Sequence, residues 1–253
     1  MLFAAKTAAL ALAMTALPAL AIAPPALAAP QAAQAAPAPV TVARYSFNSG
    51  AGATGRVAEN SGRGTALTVR ATSGGRVTFP GTTADRDASF PAACSAKARI
   101  CPRALLEGSD DPDLDPGTRQ FRWGASVRLT RAQVTGSSNV VQKGVVSTAS
   151  QWKMQIGARN GRAHCVVVGQ GSTKIYLVRS TVGVADAKWH TIMCQRSGAV
   201  LAVYVDGQQR GRLAVPANLS IANNLPLRIG GPNFNAKSDM YHGLLDDVYA
   251  RLG

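Results

Sequence analysis

The chain has 253 residues, 46% of them apolar and 16% charged, with 25 Gly and 14 Pro. The apolar content excludes a disordered protein, and the Gly and Pro content excludes a collagen-like one. Lys and Arg number 27 against 13 Asp and Glu, a formal charge of +14, which favours contact with anionic polymers and leaves the fold open.

The N-terminus reads as an export signal. Lys6 supplies a positive start, residues 7–23 are small and apolar, and Ala26-Leu27-Ala28 forms a cleavage site. This predicts a signal peptide over 1–28 and a secreted, extracellular product starting at Ala29. The rival reading, an uncleaved anchor, is weakened by Pro18 and by the dominance of Ala over Leu. No later segment approaches the ~20 apolar residues of a membrane span. Residues 29–39 are Ala, Pro and Gln only and predict a flexible leader. Residues 40–253 remain for a single domain, expected to be monomeric.

Along that domain the dominant signal is a period of two. The strand candidates are 43–47, 66–69, 76–79, 121–130, 139–146, 151–157, 163–169, 174–180, 190–196, 201–205, 226–230 and 245–252. In 121–130, Phe121, Trp123, Ala125, Val127 and Leu129 point one way; in 151–157, Trp152, Met154 and Ile156 oppose Gln151, Lys153 and Gln155. Leu201, Val203 and Val205 share a face before an Asp206-Gly207 hairpin signal. No window of a dozen residues has helical periodicity with caps. Half-buried antiparallel strands between Gly, Ser, Asn and Pro turns predict an all-β sandwich.

Export makes the four cysteines candidates for disulfides. Joining each to its nearer neighbour, the simplest of three connectivities, gives Cys94–Cys101 and Cys165–Cys194. The absence of a CxxC spacing argues against zinc. Arg44, Arg122, Arg128, Lys153 and Arg196 take the outward parity of their strands and read as a solvated face that resists edge aggregation. Trp123, Trp152 and Trp189 take the inward parity, so no aromatic interleaving marks a nucleic-acid surface, and nucleic acid is not an expected partner. The acidic run 110–115 reads as a solvated Asp-Pro turn: Pro116 stands where a calcium loop needs Gly. The connection 230–243 offers Asn233, Phe234, Asn235, Asp239 and Tyr241 as a candidate ligand loop.

Several segments resemble secreted laminin-G-like domains of the concanavalin A-like lectin/glucanase superfamily. They are Ser138–Gly144 with Gln151–Gly157, Lys188–Gly211 with its Trp-His strand and Val-Asp-Gly hairpin, Ala43–Gly52, and the closing His242–Gly253 with its Asp-Asp-Val run. The resemblance implies a two-sheet antiparallel jelly-roll β-sandwich of roughly a dozen strands. Glucanases of the superfamily hold two Glu along one strand; here Glu59 and Glu107 are alone and far apart in sequence, so no catalytic residue is expected. Similar domains place a structural Ca2+ between an Asp of the last strand and a turn after the first. Alternation turns Asp246 inward, and the corresponding turn carries Glu59 and Asn60, which makes these three the candidate calcium ligands. The resulting expectation is a non-enzymatic, secreted module that recognises a carbohydrate or an extracellular or envelope surface. Its alternatives are a glycosidase of the same superfamily and a basic protein that binds anionic polymers by charge.

Overall fold

The computed structural model describes residues 38–95, 97–148, 150–235 and 239–253. The expected signal peptide and all but the last two residues of the expected leader lie outside the described residues. The strands are β1 (Val40–Tyr45), β2 (Arg56–Val57), β3 (Leu67–Thr72), β4 (Gly81–Thr82), β5 (Asp85–Arg86), β6 (Ala88–Ser89), β7 (Arg103–Glu107), β8 (Phe121–Thr130) and β9 (Ser137–Val145). They continue with β10 (Ser150–Gly157), β11 (Arg162–Val168), β12 (Tyr176–Gly183), β13 (Asp186–Ser197), β14 (Val200–Val205), β15 (Gln208–Ala214), β16 (Leu227–Ile229) and β17 (Leu244–Leu252). A seven-stranded sheet runs β1-β17-β8-β13-β14-β15, with β6 also paired to β17. An eight-stranded sheet runs β12-β11-β10-β9-β16-β7-β3-β2, and β4-β5 is a separate hairpin. The two large sheets are antiparallel throughout and form a sandwich. No helix among the described residues is long and apolar enough to cross a membrane.

Alternation builds the core. Phe121, Trp123, Ala125, Val127 and Leu129 of β8 face Trp152, Met154 and Ile156 of β10, and all are buried. The rings of Phe121, Trp123 and Trp152 meet with centroids 5.1–5.8 Å apart, close enough for ring contacts beyond area burial. Trp152 Nε1 donates to the Leu114 carbonyl at 2.9 Å, so its one polar atom is satisfied inside the core. Cys165 on β11 and Cys194 on β13 form a disulfide between the sheets, with Cα atoms 5.6 Å apart. Cys94 and Cys101 form the second, within one loop. Both pairings are the expected ones.

Several expectations need correction. Segment 76–79 is not a strand; Thr78 makes only an isolated bridge to Ser89. The strands β7 and β15 stand where none was expected. Trp189 is 41% exposed: Ile192 and Cys194 are inward on β13, so its parity carries it to the outer face. Arg196 is inward and buried, and its guanidinium donates to the carbonyls of Thr118, Arg119 and Ala217. The acidic run is more than a solvated turn. Residues Pro112–Leu114 form a 3-10 turn, Leu114 is buried, and Asp110 and Asp115 pair with the buried ammonium of Lys143.

Asp246 does not face the core. Leu245 and Val248 are both buried, and a register break between Asp246 and Tyr249, with Asp247 at φ 44°, inserts an extra residue between them. A bulge of this kind reverses the parity of everything before it, which puts Asp246 opposite Ser126 on the outer face.

Candidate functional site

The outer face of the eight-stranded sheet is polar yet withdrawn from water. On β9 and β10 it carries Asn139, Gln142, Gln151 and Gln155, all buried. Register sets them side by side: Gln155 is opposite Asn139 on one side and His164 of β11 on the other, while Lys153 is opposite Gln142. Carbonyl acceptors fix how three of the amides are turned. Gln142 Nε2 and Gln151 Nε2 both donate to the Gly144 carbonyl at 3.0 Å, and Asn139 Nδ2 donates to the Asp239 carbonyl at 3.1 Å. Gln155 Nε2 lies 3.3 Å from His164 Nδ1. The four amide oxygens are thereby left over: Asn139 Oδ1, Gln142 Oε1, Gln151 Oε1 and Gln155 Oε1 are buried without a hydrogen-bond partner. A buried acceptor without a donor costs about 1–3 kcal/mol, and four in one row is a strong departure from ordinary interiors.

Burial also sets the charges here. His164 is pushed down to about 4, first by burial and then by Arg179, Lys153 and Arg162 nearby. It is neutral at pH 7, and Gln155 donating to Nδ1 leaves Nε2 carrying the proton. Burial lowers the Lys153 ammonium as well, with Asp239 acting against the shift.

Beyond the Asn139–Gln155 end of the row, past their neighbours His164 and Asp239, lies a hollow of about 700 Å3 that none of the four amides lines. Its wall combines Gly136 and Ser137 at the start of β9, the β10–β11 turn, His164, Arg179 and Asp239. The turn is set by Asn160 and Gly161, at φ 68° and 57°, a left-handed pair that Asn and Gly adopt most readily. This turn places Arg159 and Arg162 on the rim. Gly157 is needed for space, because a Cβ there would lie 2.3 Å from the His164 ring. Outward Gln151, Lys153 and Gln155 were legible as a polar face. Amides in place of charges at that parity, together with the Asn-Gly turn, are the signal that could have singled it out.

The candidate ligand loop divides. Asp239 reaches the hollow. Asn233 Oδ1 accepts from the Asn235 backbone in a local turn, and Phe234 lies under the Arg103 guanidinium, 5.8 Å from its ring centroid. Tyr241 is fully buried against Phe90, with its hydroxyl donating to the Leu244 carbonyl, and belongs to the core.

The calcium candidates are not brought together. Both Glu59 oxygens accept backbone N–H groups, from Arg44, Ser61 and Gly62 at 2.7–2.9 Å, and these donors outweigh burial to hold the carboxyl below its ordinary value. Asn60 Oδ1 accepts from Ser46. Asp246 lines a different hollow, about 320 Å3 on the seven-stranded sheet, with Asp85, Asp87, Asp206, His190 and Trp189. Burial, then the neighbouring Asp247, Asp87 and Asp85, raises Asp246 to about 6. Among the described residues no group of three or more His, Cys, Asp or Glu is placed to hold a metal ion. Glu59 and Asn60 act as a brace for β1, and the three residues do not fit a calcium cage.

The disulfide-linked two-sheet sandwich is the architecture the motifs implied, and comparison with known proteins identifies it. A family model, Laminin_G_3 of the concanavalin A-like lectin/glucanases superfamily, matches residues 112–250. The chain belongs to this family. The matched part of the laminin-G-like domain spans β8 to most of β17 and contains every strand that lines the hollow. Domain 4 of AbnA, a GH43 extracellular arabinanase from Geobacillus stearothermophilus, in complex with arabinotriose, is 13% identical over 85% of this chain and 93% of its own, with a TM-score of 0.64. The binding domain of botulinum neurotoxin DC, in complex with rat synaptotagmin II, is 11% identical over 83% of this chain, with a TM-score of 0.58. The binding domain of Paraclostridial Mosquitocidal Protein 1 is 10% identical over 83%, also at 0.58. The laminin-G-like domain spans about half the length of either toxin chain, 48% in both. At these identities the likeness is one of fold. No curated protein sequence matches the chain.

Proposed function

We propose that this laminin-G-like domain is a secreted, non-catalytic glycan-binding module whose ligand lies along the outer face of the eight-stranded sheet. The observation that carries the reading is the row of four unpartnered amide oxygens on β9 and β10. The oxygens are buried, so binding requires the cover over the row to move aside; sugar hydroxyls, which are donors, would then meet acceptors already turned by fixed carbonyls. Among the described residues Asp239 is the one carboxylate on the wall of the neighbouring hollow. Glycoside hydrolysis requires two flanking the scissile bond, so the site is suited to binding and not to cleavage. The comparison supports the same reading: AbnA domain 4 carries arabinotriose in its structure.

The test is a glycan array followed by calorimetry on the best oligosaccharide. Replacing Gln142 and Gln155 together by Met removes two orphan acceptors at nearly constant shape; affinity is expected to fall at least about tenfold, while thermal stability changes little because the lost donors to Gly144 and His164 offset the two orphan acceptors removed. Binding abolished by Trp189→Ala and untouched by the glutamine variant would move the site to the other sheet. Failure to bind any glycan would overturn the reading.

A further inference from the structure

The hollow at the end of the amide row has a charge pattern that a neutral sugar does not use. Arg159, Arg162 and Arg179 line it, against one carboxylate, Asp239. None of the three arginines is in an ion pair among the described residues, as is true of most arginines of this basic chain; what sets these three apart is that they line one hollow. Arg159 and Arg179 are exposed and Arg162 is half-buried, so their guanidiniums remain open to a ligand. Three parts of the sheet converge to make this arrangement: the β10–β11 turn supplies Arg159, β11 begins with Arg162, and Arg179 of β12 stands opposite His164. Guanidinium is a planar fork that pairs two N–H donors with the two oxygens of an oxyanion. Among the described residues no Phe, Tyr or Trp lines the hollow, and its one ring, His164, is buried, so the open aromatic platform on which bases of a single strand stack is missing.

We propose that this hollow reads an acidic group, carboxylate or sulfate, on the glycan, with Arg159, Arg162 and Arg179 as the residues that select it. The inference rests on the glycan reading above and adds the class of sugar. The amides then receive hydroxyls of the chain while the arginines fix the charged residue at one end.

The experiment measures binding of polygalacturonate, dextran sulfate, neutral dextran and single-stranded DNA at about 0.15 M salt, where contacts between distant surface charges are largely screened. The wild type is compared with Arg159→Gln/Arg162→Gln/Arg179→Gln and with a control of equal net charge, Arg56→Gln/Arg99→Gln/Arg131→Gln. The expected result is saturable binding to an acidic polysaccharide that falls about tenfold or more in the first variant and is unchanged in the second. Binding of polygalacturonate alone assigns a carboxylate, of dextran sulfate alone a sulfate, and of both their shared oxyanion. Equal losses in the two variants would show that net charge acts alone and overturn the inference, as would tighter binding of DNA. A neutral glycan from the array bound through the amide row, with neither acidic polymer bound, would overturn the inference and leave the glycan reading standing. No glycan bound at all would overturn both.

Discussion

Lys143 shows how one side chain organises a distant loop. Its parity on β9 is inward, opposite Trp152, and its side chain is fully buried. Asp115 at 2.8 Å and Asp110 at 2.9 Å neutralise it, and the Asn223 carbonyl accepts a further bond from the ammonium. The Asp115 carboxylate also accepts from the Asn223 backbone at 3.1 Å, so two loops far apart in sequence are tied at one buried cation. Truncating one partner of such a cluster leaves the rest uncompensated. Lys143→Ala is expected to cost about 3–5 kcal/mol in urea unfolding. Asp110→Asn should cost under about 1 kcal/mol, because Asp110 is 43% exposed and water can replace its contact. A larger loss for Asp110→Asn than for Lys143→Ala would refute this assignment. Neither Lys143 nor Arg196 was legible as a buried cation. Alternation says which way a side chain points, but the carbonyls and carboxylates that make burial tolerable come from loops at other positions in the chain.

At the scale of elements, alternation identified β8 and β10 because each has one apolar face and one polar face, whereas β11 and β14 stood out as short runs rich in Val. β7 escaped because Ala104, Leu105 and Leu106 are all buried, so the segment carries no alternation to detect. The bulge in β17 also left no mark: the Asp-Asp pair looks the same whether or not one of its residues is extra. The amide row was legible as a polar face, but its lack of partners depends on carbonyls from Gly144 and Asp239 that only the fold brings near. One element contact gives a sharp test. Tyr249 of β17 is paired with Gly124 of β8, and a Cβ on Gly124 would lie 2.5 Å from the Tyr249 ring. The ring therefore covers the glycine, with the Arg251 guanidinium 4.7 Å from its centroid on β17. Gly124→Ala is expected to destabilise by about 1–3 kcal/mol through overpacking. In the Tyr249→Ala background the same change should be nearly neutral, since the atoms it strikes are gone. Equal costs in the two backgrounds would mean that the strand backbone, and not the ring, resents the extra carbon.

Across the whole molecule the two sheets are held by the core and by a single covalent link between them, Cys165–Cys194. Its sequence separation is 29, against 7 for Cys94–Cys101. On loop entropy alone the longer link restrains the unfolded chain by about 3.6 kcal/mol and the shorter by about 2.5 kcal/mol. Position widens that gap. Both sulfurs of the inter-sheet pair are buried in the core, so replacing the two cysteines by alanine also leaves unfilled volume between the layers. The loop pair has one partly exposed member, Cys94, and water can fill what its removal vacates. Cys165→Ala/Cys194→Ala is therefore expected to lower Tm by roughly 7–14 °C from loop entropy alone, taking about 2–4 °C per kcal/mol for a domain of this size, and further through the unfilled volume. Cys94→Ala/Cys101→Ala should lower it clearly less, with glycan affinity preserved, because no residue of that loop lines the hollow. Calorimetry on the two oxidised double variants reads both values. An equal fall in the two, or a larger one for the loop pair, would show that the sheets are held together by their packed faces without need of the link.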